Sequence, residues 1–142
     1  MTLEKIMSHP VATVGLDDTL KMVKDILDHA KFNHVLVADD HKLIGVISDR
    51  DVFRQLTPTF GTPLETYKDQ MLLHRPVHTF MTRKPRTLRK TANMFEAIDM
   101  FLQTGTSCIP IVDSENRIEG IVTKRDLLRL MKSYRSKFNE EL

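Results

Sequence analysis

The sequence predicts an α/β fold of two β-α-β-β-α repeats sharing one core. The prediction rests on an internal repeat, a hairpin pattern in each copy, and the chain's length. Leu43-Ile44-Gly45-Val46-Ile47-Ser48-Asp49-Arg50-Asp51 returns as Ile118-Glu119-Gly120-Ile121-Val122-Thr123-Lys124-Arg125-Asp126. Gly45 answers Gly120, Ser48 answers Thr123, Arg50 answers Arg125 and Asp51 answers Asp126, at one offset of about 75 residues. Ahead of each stretch lies an apolar run and a polar turn, the mark of a β-hairpin: His34-Val35-Leu36-Val37-Ala38 in one copy, Ile109-Pro110-Ile111-Val112-Asp113 in the other. A repeat of ~60 residues is marginal alone. A chain of 142 residues buries a real core, so the copies are expected to share it.

Each copy opens on a Met-Ser or Met-Thr pair, in Ile6-Met7-Ser8 and Phe80-Met81-Thr82. A Pro-containing turn and a brief strand follow, Val11-Ala12-Thr13-Val14 in one and Arg86-Thr87-Leu88 in the other. A helix comes next. In the first copy Asp17 or Asp18 is the expected cap, ahead of Leu20, Val23, Ile26, Leu27 and Ala30 at helical spacing. In the second Thr91 is the expected cap, ahead of Phe95, Ile98, Phe101 and Leu102, and Gly105 suits the C-terminal end. The hairpin strands are rich in Val and Ile, with turns at Ala38-Asp39-Asp40-His41-Lys42 and Asp113-Ser114-Glu115-Asn116-Arg117. Their near-continuous apolar character implies that both sheet faces are covered. A last helix starts at Ser48 or Thr123. Thr57-Pro58-Thr59-Phe60-Gly61-Thr62-Pro63 reads as a linker, and Leu64 to His74 as a short helix ending before Pro76. The organisation is therefore a first repeat at 1–56, a linker at 57–76, a second repeat at 77–133 and a tail at 134–142.

Composition narrows the function. Net charge is +2, which argues against a nucleic-acid partner for the molecule as a whole. Basic residues do gather in the second half, at Arg83, Lys84, Arg86, Arg89 and Lys90 and again at Arg125, Arg129, Lys132, Arg135 and Lys137. Such runs either receive phosphates or form a solvated surface. The sequence holds no long uncharged apolar run, and its opening residues are not expected to act as a secretion signal. The single cysteine, Cys108, cannot close an internal disulfide and reads as a small buried strand residue, as expected of a cytoplasmic protein. The second-copy helix, with Met94, Phe95, Ala97, Ile98, Met100, Phe101 and Leu102, is apolar over more than a core face. Deep burial or a subunit interface would explain it, and the interface is favoured in a chain this short.

No enzyme constellation emerges. The six histidines are scattered, and Pro76 between His74 and His78 spoils the helical spacing of a metal pair. Cys108 lacks a helix N-terminus or an assigned base that would make it a nucleophile. The chemistry that remains lies in Ser/Thr-x-Arg-Asp. Ser48 and Thr123 leave a strand and enter a helix, where first-turn N–H groups favour phosphate. Asp51 and Asp126 fall in that same turn, and a carboxylate accepts hydrogen bonds from two vicinal hydroxyls such as those of a ribose. Ser-x-x-Asp is equally an ordinary capping arrangement, stabilising by ~1 kcal/mol with no ligand.

Together these features resemble the tandem CBS domain, or Bateman module, of small stand-alone bacterial proteins, including those linked to acetoin utilisation. Gly105, Ile109-Pro110-Ile111-Val112-Asp113, Gly120-Ile121-Val122-Thr123 and Asp126 carry the match in the second copy. The first copy matches from Gly45 to Asp51 and departs earlier, with Ala30 for the family's Gly and Val35 for its Pro. The resemblance implies a pseudo-two-fold α/β module, dimerisation through helices, and adenosine-binding clefts between the repeats. It places ribose on Asp51 and Asp126, ribose or phosphate on Ser48 and Thr123, and adenine on the backbone at Thr13 and Thr87. Arg50 and Arg125 would then meet phosphate or form salt bridges across a dimer. His34 and Ile109, with Val35 and Pro110 beside them, would wall the base. Lys31 and Thr106 replace the family's hydrophobic residue after the Gly and weaken an apolar adenine pocket.

Two functions compete. One is a regulatory homodimer needing no cofactor, whose ligand is AMP, ADP, ATP, S-adenosylmethionine or an NAD-type compound, and whose change of conformation an effector protein reads. The other is a ligand-free protein- or nucleic-acid-interaction scaffold working through the basic C-terminal helix.

Overall fold

The Val- and Ile-rich runs form the two hairpins that organise the computed structural model, which describes residues 1–30 and 32–135. Lys31 and Lys137 lie outside the described residues. The chain divides into two compact units, one formed by Ala12–Pro85 and the other by Met1–Val11 with the chain from Arg86 onward.

In the Ala12–Pro85 unit the elements are β1 (Thr13–Val14), α1 (Leu20–Ala30), β2 (His34–Asp39), β3 (Lys42–Ser48), α2 (Asp49–Gln55), α3 (Tyr67–Leu72) and β4 (Thr82–Arg83). They make a four-stranded sheet in the order β1-β2-β3-β4, with β1 parallel to β2 and the other pairs antiparallel. The second unit holds α4 (Met94–Thr104), β5 (Cys108–Val112), β6 (Ile118–Thr123) and α5 (Lys124–Ser133). There β5 and β6 pair antiparallel, flanked by single bridges from Leu88 to Ile111 and from Ser8 to Ile121. The two units thus repeat one plan, but each takes its outer segment from the other copy of the sequence. The opening Ile6-Met7-Ser8 lies on β6, and Phe80-Met81-Thr82 lies on β3.

The exchange corrects the expectation of one shared core. Val14, Leu20, Val23, Val35, Val37, Ile47, Val52, Val77 and Phe80 form one buried cluster, and Leu3, Ala97, Phe101, Ile109, Ile111 and Val122 form another. Leu3 closes the second cluster and Val77 and Phe80 close the first, so each exchanged segment brings its own apolar cover. Coverage of the hairpins is uneven. Every residue of β5 is buried, whereas β3 alternates, with Leu43, Gly45 and Ile47 buried and their neighbours more open.

The expected strand at Arg86-Thr87-Leu88 shrinks to one bridge, and Pro110 is the reason. Leu88 N–H donates to the Pro110 carbonyl at 3.2 Å, and Val112 N–H to the Leu88 carbonyl at 3.1 Å. The next rung would need an N–H on residue 110, which proline lacks. In the first unit Leu36 fills that place, and its N–H reaches the Ala12 carbonyl at 3.0 Å.

Helix starts also differ from expectation. Asp18 accepts the Gly15 N–H at 2.7 Å and so closes the preceding turn, while Thr19 Oγ1 accepts the Met22 N–H at the head of α1. Asn93, not Thr91, caps α4, accepting the Phe95 N–H at 2.9 Å while Glu96 reaches back to the Asn93 N–H at 2.8 Å. Asn-x-x-Glu is the spacing of a capping box, and it lies nearer the apolar run than Thr91. Gly105 ends α4 at φ 68°, a left-handed position that glycine takes without a Cβ penalty. In the second hairpin turn, backbone amides of Arg117 and Glu115 hold the Asp113 carboxyl below the usual carboxylate range.

One carboxylate ties the start of the linker to α3. Buried Asp69 accepts Thr57 Oγ1 at 2.5 Å, Thr59 Oγ1 at 2.5 Å and the Thr66 N–H at 2.9 Å, capping α3 in the process. The Thr57 hydroxyl above all, with Thr59 and Thr66, holds this carboxyl down to about 2. An unfolded aspartate titrates near ~3.9. The contribution is therefore complete above about pH 4 and is lost as pH falls through about 2. Asp69→Asn is expected to be less stable than the parent at neutral pH, with the difference narrowing between pH 4 and 2. Melting temperatures across that range read it, and a constant gap would refute the assignment.

Candidate functional site

The candidate site is the pair of junctions at which β3 enters α2 and β6 enters α5. Ser48 and Thr123 have extended backbones there, and each caps its helix through a full capping box with the aspartate three residues on. In the first junction the Ser48 N–H donates to Asp51 Oδ2 at 2.8 Å and the Asp51 N–H to Ser48 Oγ at 3.2 Å. In the second, the Thr123 N–H donates to Asp126 Oδ2 at 2.8 Å and Thr123 Oγ1 to the same oxygen at 3.1 Å.

A further group joins the second junction. Met7 packs over Gly120, where an added Cβ would stand 2.7 Å from Met7 Sδ and 3.1 Å from the Ser8 carbonyl oxygen. That seat, with Ser8 and Ile121 exchanging backbone hydrogen bonds of 2.9 and 3.1 Å, delivers the Ser8 hydroxyl to Asp126 Oδ1 at 3.3 Å. Arg129 Nη1 stands 4.0 Å from the same oxygen. Lys5, Ile6, Ser8, Asp126, Arg129 and Leu130 line a cavity of about 330 Å³, within the range of small-ligand sites. Asp126 is buried, whereas Asp51 is only half-buried.

The first junction has a different character. His34 stands opposite Ser48 in the hairpin. Burial lowers its pKa, against the pull of the Asp49 and Asp51 charges, and so disfavours the charged imidazolium. Gly45 repeats the glycine seat, with Met81 Sδ 2.7 Å and the Thr82 carbonyl oxygen 3.0 Å from a Cβ built there.

The hairpin register corrects the alignment of the copies. Val35 stands opposite Ile47 as Ile109 stands opposite Val122, and His34 opposite Ser48 as Cys108 opposite Thr123. The first strands are thus 74 residues apart and the second strands 75, because the second hairpin turn is one residue longer. His34 therefore matches Cys108, not Ile109, and Leu36 stands where Pro110 does, not Val35.

Of the residues singled out in the sequence, Ile109, Pro110 and Val35 sit fully buried in the cores. Arg50 and Arg125 are exposed at the first turns of α2 and α5, and Thr13 is exposed on β1. Thr87 is half-buried and lines a separate cavity of about 420 Å³ with Leu88, Arg89, Thr91, Ala92 and Glu96. Ser8 and Lys5 were not foreseen as site residues, and Arg129 was singled out only within the basic run of the C-terminal helix. The repeated Met-Ser and Met-Thr pairs were the available signal for Ser8, since a segment kept in both copies has a packing partner in both. Among the described residues no group of three or more His, Cys, Asp or Glu is placed to hold a metal ion. None of the described helices is long and apolar enough to cross a membrane.

Comparison with known proteins bears on this arrangement. The CBS domain model matches twice, at residues 3–57 and 77–133. A CBS domain-containing protein of Dictyostelium discoideum is 29% identical over 131 residues, covering 91% of this chain and 90% of its own length. Two further curated relatives, from Methanocaldococcus jannaschii, are matched over 43% and 45% of their lengths. Among solved structures, the CBS domain pair of protein MJ0100 in complex with 5-methylthioadenosine and S-adenosyl-L-methionine superposes with a TM-score of 0.76 at 23% identity, over 94% of this chain and 97% of that one. CBSX2 in complex with AMP superposes with a TM-score of 0.77 at 23% identity, over 94% and 98%. At these identities the likeness is one of fold.

Proposed function

Since the chain belongs to the CBS domain family, we propose that it is a regulatory module that binds an adenosine-containing ligand at its capped strand-to-helix junctions and passes a change of conformation to an effector protein. The observation that carries this is the state of Asp126. Its Oδ2 serves the helix cap, while its Oδ1 holds only a 3.3 Å hydroxyl contact and a guanidinium 4.0 Å away, at the wall of a cavity. A carboxylate has about four lone-pair sites, so capping and ribose binding coexist. The solved relatives that hold AMP, 5-methylthioadenosine and S-adenosyl-L-methionine support the same reading. A ligand shifts such a module only through different affinities for its two conformations.

A homodimer belongs to the proposal. Phe95 and Leu102 of α4 are 62% and 79% exposed, and Leu128 of α5 is 64% exposed. Side chains of this kind gather at subunit contacts. Sedimentation velocity of the purified chain is expected to give twice the 16.4 kDa chain mass, and a monomer at all concentrations would reject the dimer.

A thermal-shift titration with AMP, ADP, ATP, S-adenosylmethionine and NAD, with guanosine nucleotides as controls, tests the ligand. A selective, saturable rise is expected, reaching about 2.7 kcal/mol of stabilisation at roughly 100 times Kd. No rise with any adenosine compound would reduce the junctions to helix caps. It would leave the exposed Arg125, Arg129 and Lys132 of α5, with Arg135 beyond its end, as the surface of a scaffold.

A further inference from the structure

We propose that the cavity at the second junction selects adenosine ligands that carry a phosphate, with Lys5 and Arg129 receiving its oxygens beside the carboxylate of Asp126. This rests on the adenosine reading above and adds a charge requirement to it. The cavity's lining carries two cations, Lys5 and Arg129, against one carboxylate, Asp126. A ligand with phosphate charge balances that excess, whereas the sulfonium of S-adenosylmethionine adds to it.

The geometry leaves both cations available. The contact from Arg129 to Asp126 is long, at 4.0 Å, and the arginine side chain is 69% exposed. An ion pair of that kind contributes little, so turning the guanidinium to a phosphate sacrifices little. Its planar fork matches phosphate oxygens two at a time. Lys5 ends a 3-10 turn, Leu3–Lys5, which the fully buried Leu3 side chain holds in place. Among the described residues Lys5 makes no ion pair of its own.

The first junction carries only part of this set. Arg54 stands where Arg129 does, but Thr79 stands where Lys5 does and Asp49 where Lys124 does, and burial disfavours the charged form of the His34 imidazole. Two carboxylates, Asp49 and Asp51, act on that histidine, and they oppose a phosphate. The sequence repeats the capping box in both copies but sets Lys5 and Lys124 beside the second where Thr79 and Asp49 stand beside the first. One phosphorylated nucleotide per chain follows.

Isothermal titration of the full chain with AMP, adenosine and S-adenosylmethionine near neutral pH and low salt tests the assignment. AMP is expected to bind at least about tenfold more tightly than adenosine, the loss typical of one charge-assisted hydrogen bond, and at one site per chain. In Arg129→Gln and in Lys5→Gln that ratio is expected to fall towards one while adenosine affinity changes less than about threefold. Lys132→Gln, outside the cavity, is expected to leave the ratio intact. Equal binding of AMP and adenosine by the parent overturns this proposal alone, and so does an unchanged ratio in both cavity variants. Two equal AMP sites per chain overturn the contrast between junctions. Failure of every adenosine compound to bind sinks the adenosine reading itself, and this proposal with it.

Discussion

Asp126→Ala is expected to destabilise the protein by about 0.5–2 kcal/mol, the cost of a lost helix-capping arrangement, and to weaken adenosine-ligand binding at least about tenfold. The stability loss arises because the Thr123 N–H gives up its 2.8 Å partner and the Ser8 hydroxyl its 3.3 Å partner at the same time. The binding loss arises because the remaining acceptor capacity of Oδ1 is what a ribose diol would use. Asp126→Asn separates the two effects. It keeps one carbonyl oxygen for the cap, so stability is expected to return in part, while the charge that strengthens the hydroxyl contacts is gone. Urea denaturation and titration with AMP read the pair of variants. Wild-type affinity in a folded Asp126→Ala protein would confine the residue to capping.

Gly120→Val is expected to cost a further ~1–3 kcal/mol by overpacking, and Gly120→Ala somewhat less. Only part of the clash is soft. Met7 Sδ, 2.7 Å from the added Cβ, is the end of a flexible side chain, but the Ser8 carbonyl at 3.1 Å is backbone. Pushing that backbone off β6 also withdraws the Ser8 hydroxyl from Asp126, so ligand affinity is expected to fall with stability. Met7→Ala removes the soft part of the clash. In a double-mutant cycle the two substitutions are expected to couple by more than about 0.5 kcal/mol. Additive losses would show that the glycine serves something other than the seat of this methionine.

Much of the local structure was legible because its causes are local. Alternating and continuous runs of Val and Ile specify hairpins, and Ser/Thr-x-x-Asp at the end of a strand specifies a cap. Both junctions formed as their spacing required. The misread helix starts were also local: Asn93 with Glu96 is a better capping box than anything Thr91 can build. The misaligned first strands had a subtler cause. One extra residue in a turn shifts the pairing, and a strand read without its partner has no register to reveal the shift.

Other features had no local trace. Ser8 and Asp126 are 118 residues apart in sequence, and nothing near either announces the other. The Asp69 knot reads as a loose Thr- and Pro-containing linker until Thr57 and Thr59 are seen on one carboxylate. Arg129 looks like any cation on a basic helix until packing sets it beside Lys5 and Asp126.

By itself, then, the sequence determined the repeat, the hairpins, the caps and the family, since each depends on residues within a turn or a strand of one another. The tertiary structure alone decided which opening segment covers which hairpin. It also decided that Pro110 would cut one edge strand to a single bridge, and that Ser8 and Lys5 would stand beside Asp126. Those outcomes depend on pairing between distant segments, where a side chain's role is set by the partner that packing brings to it.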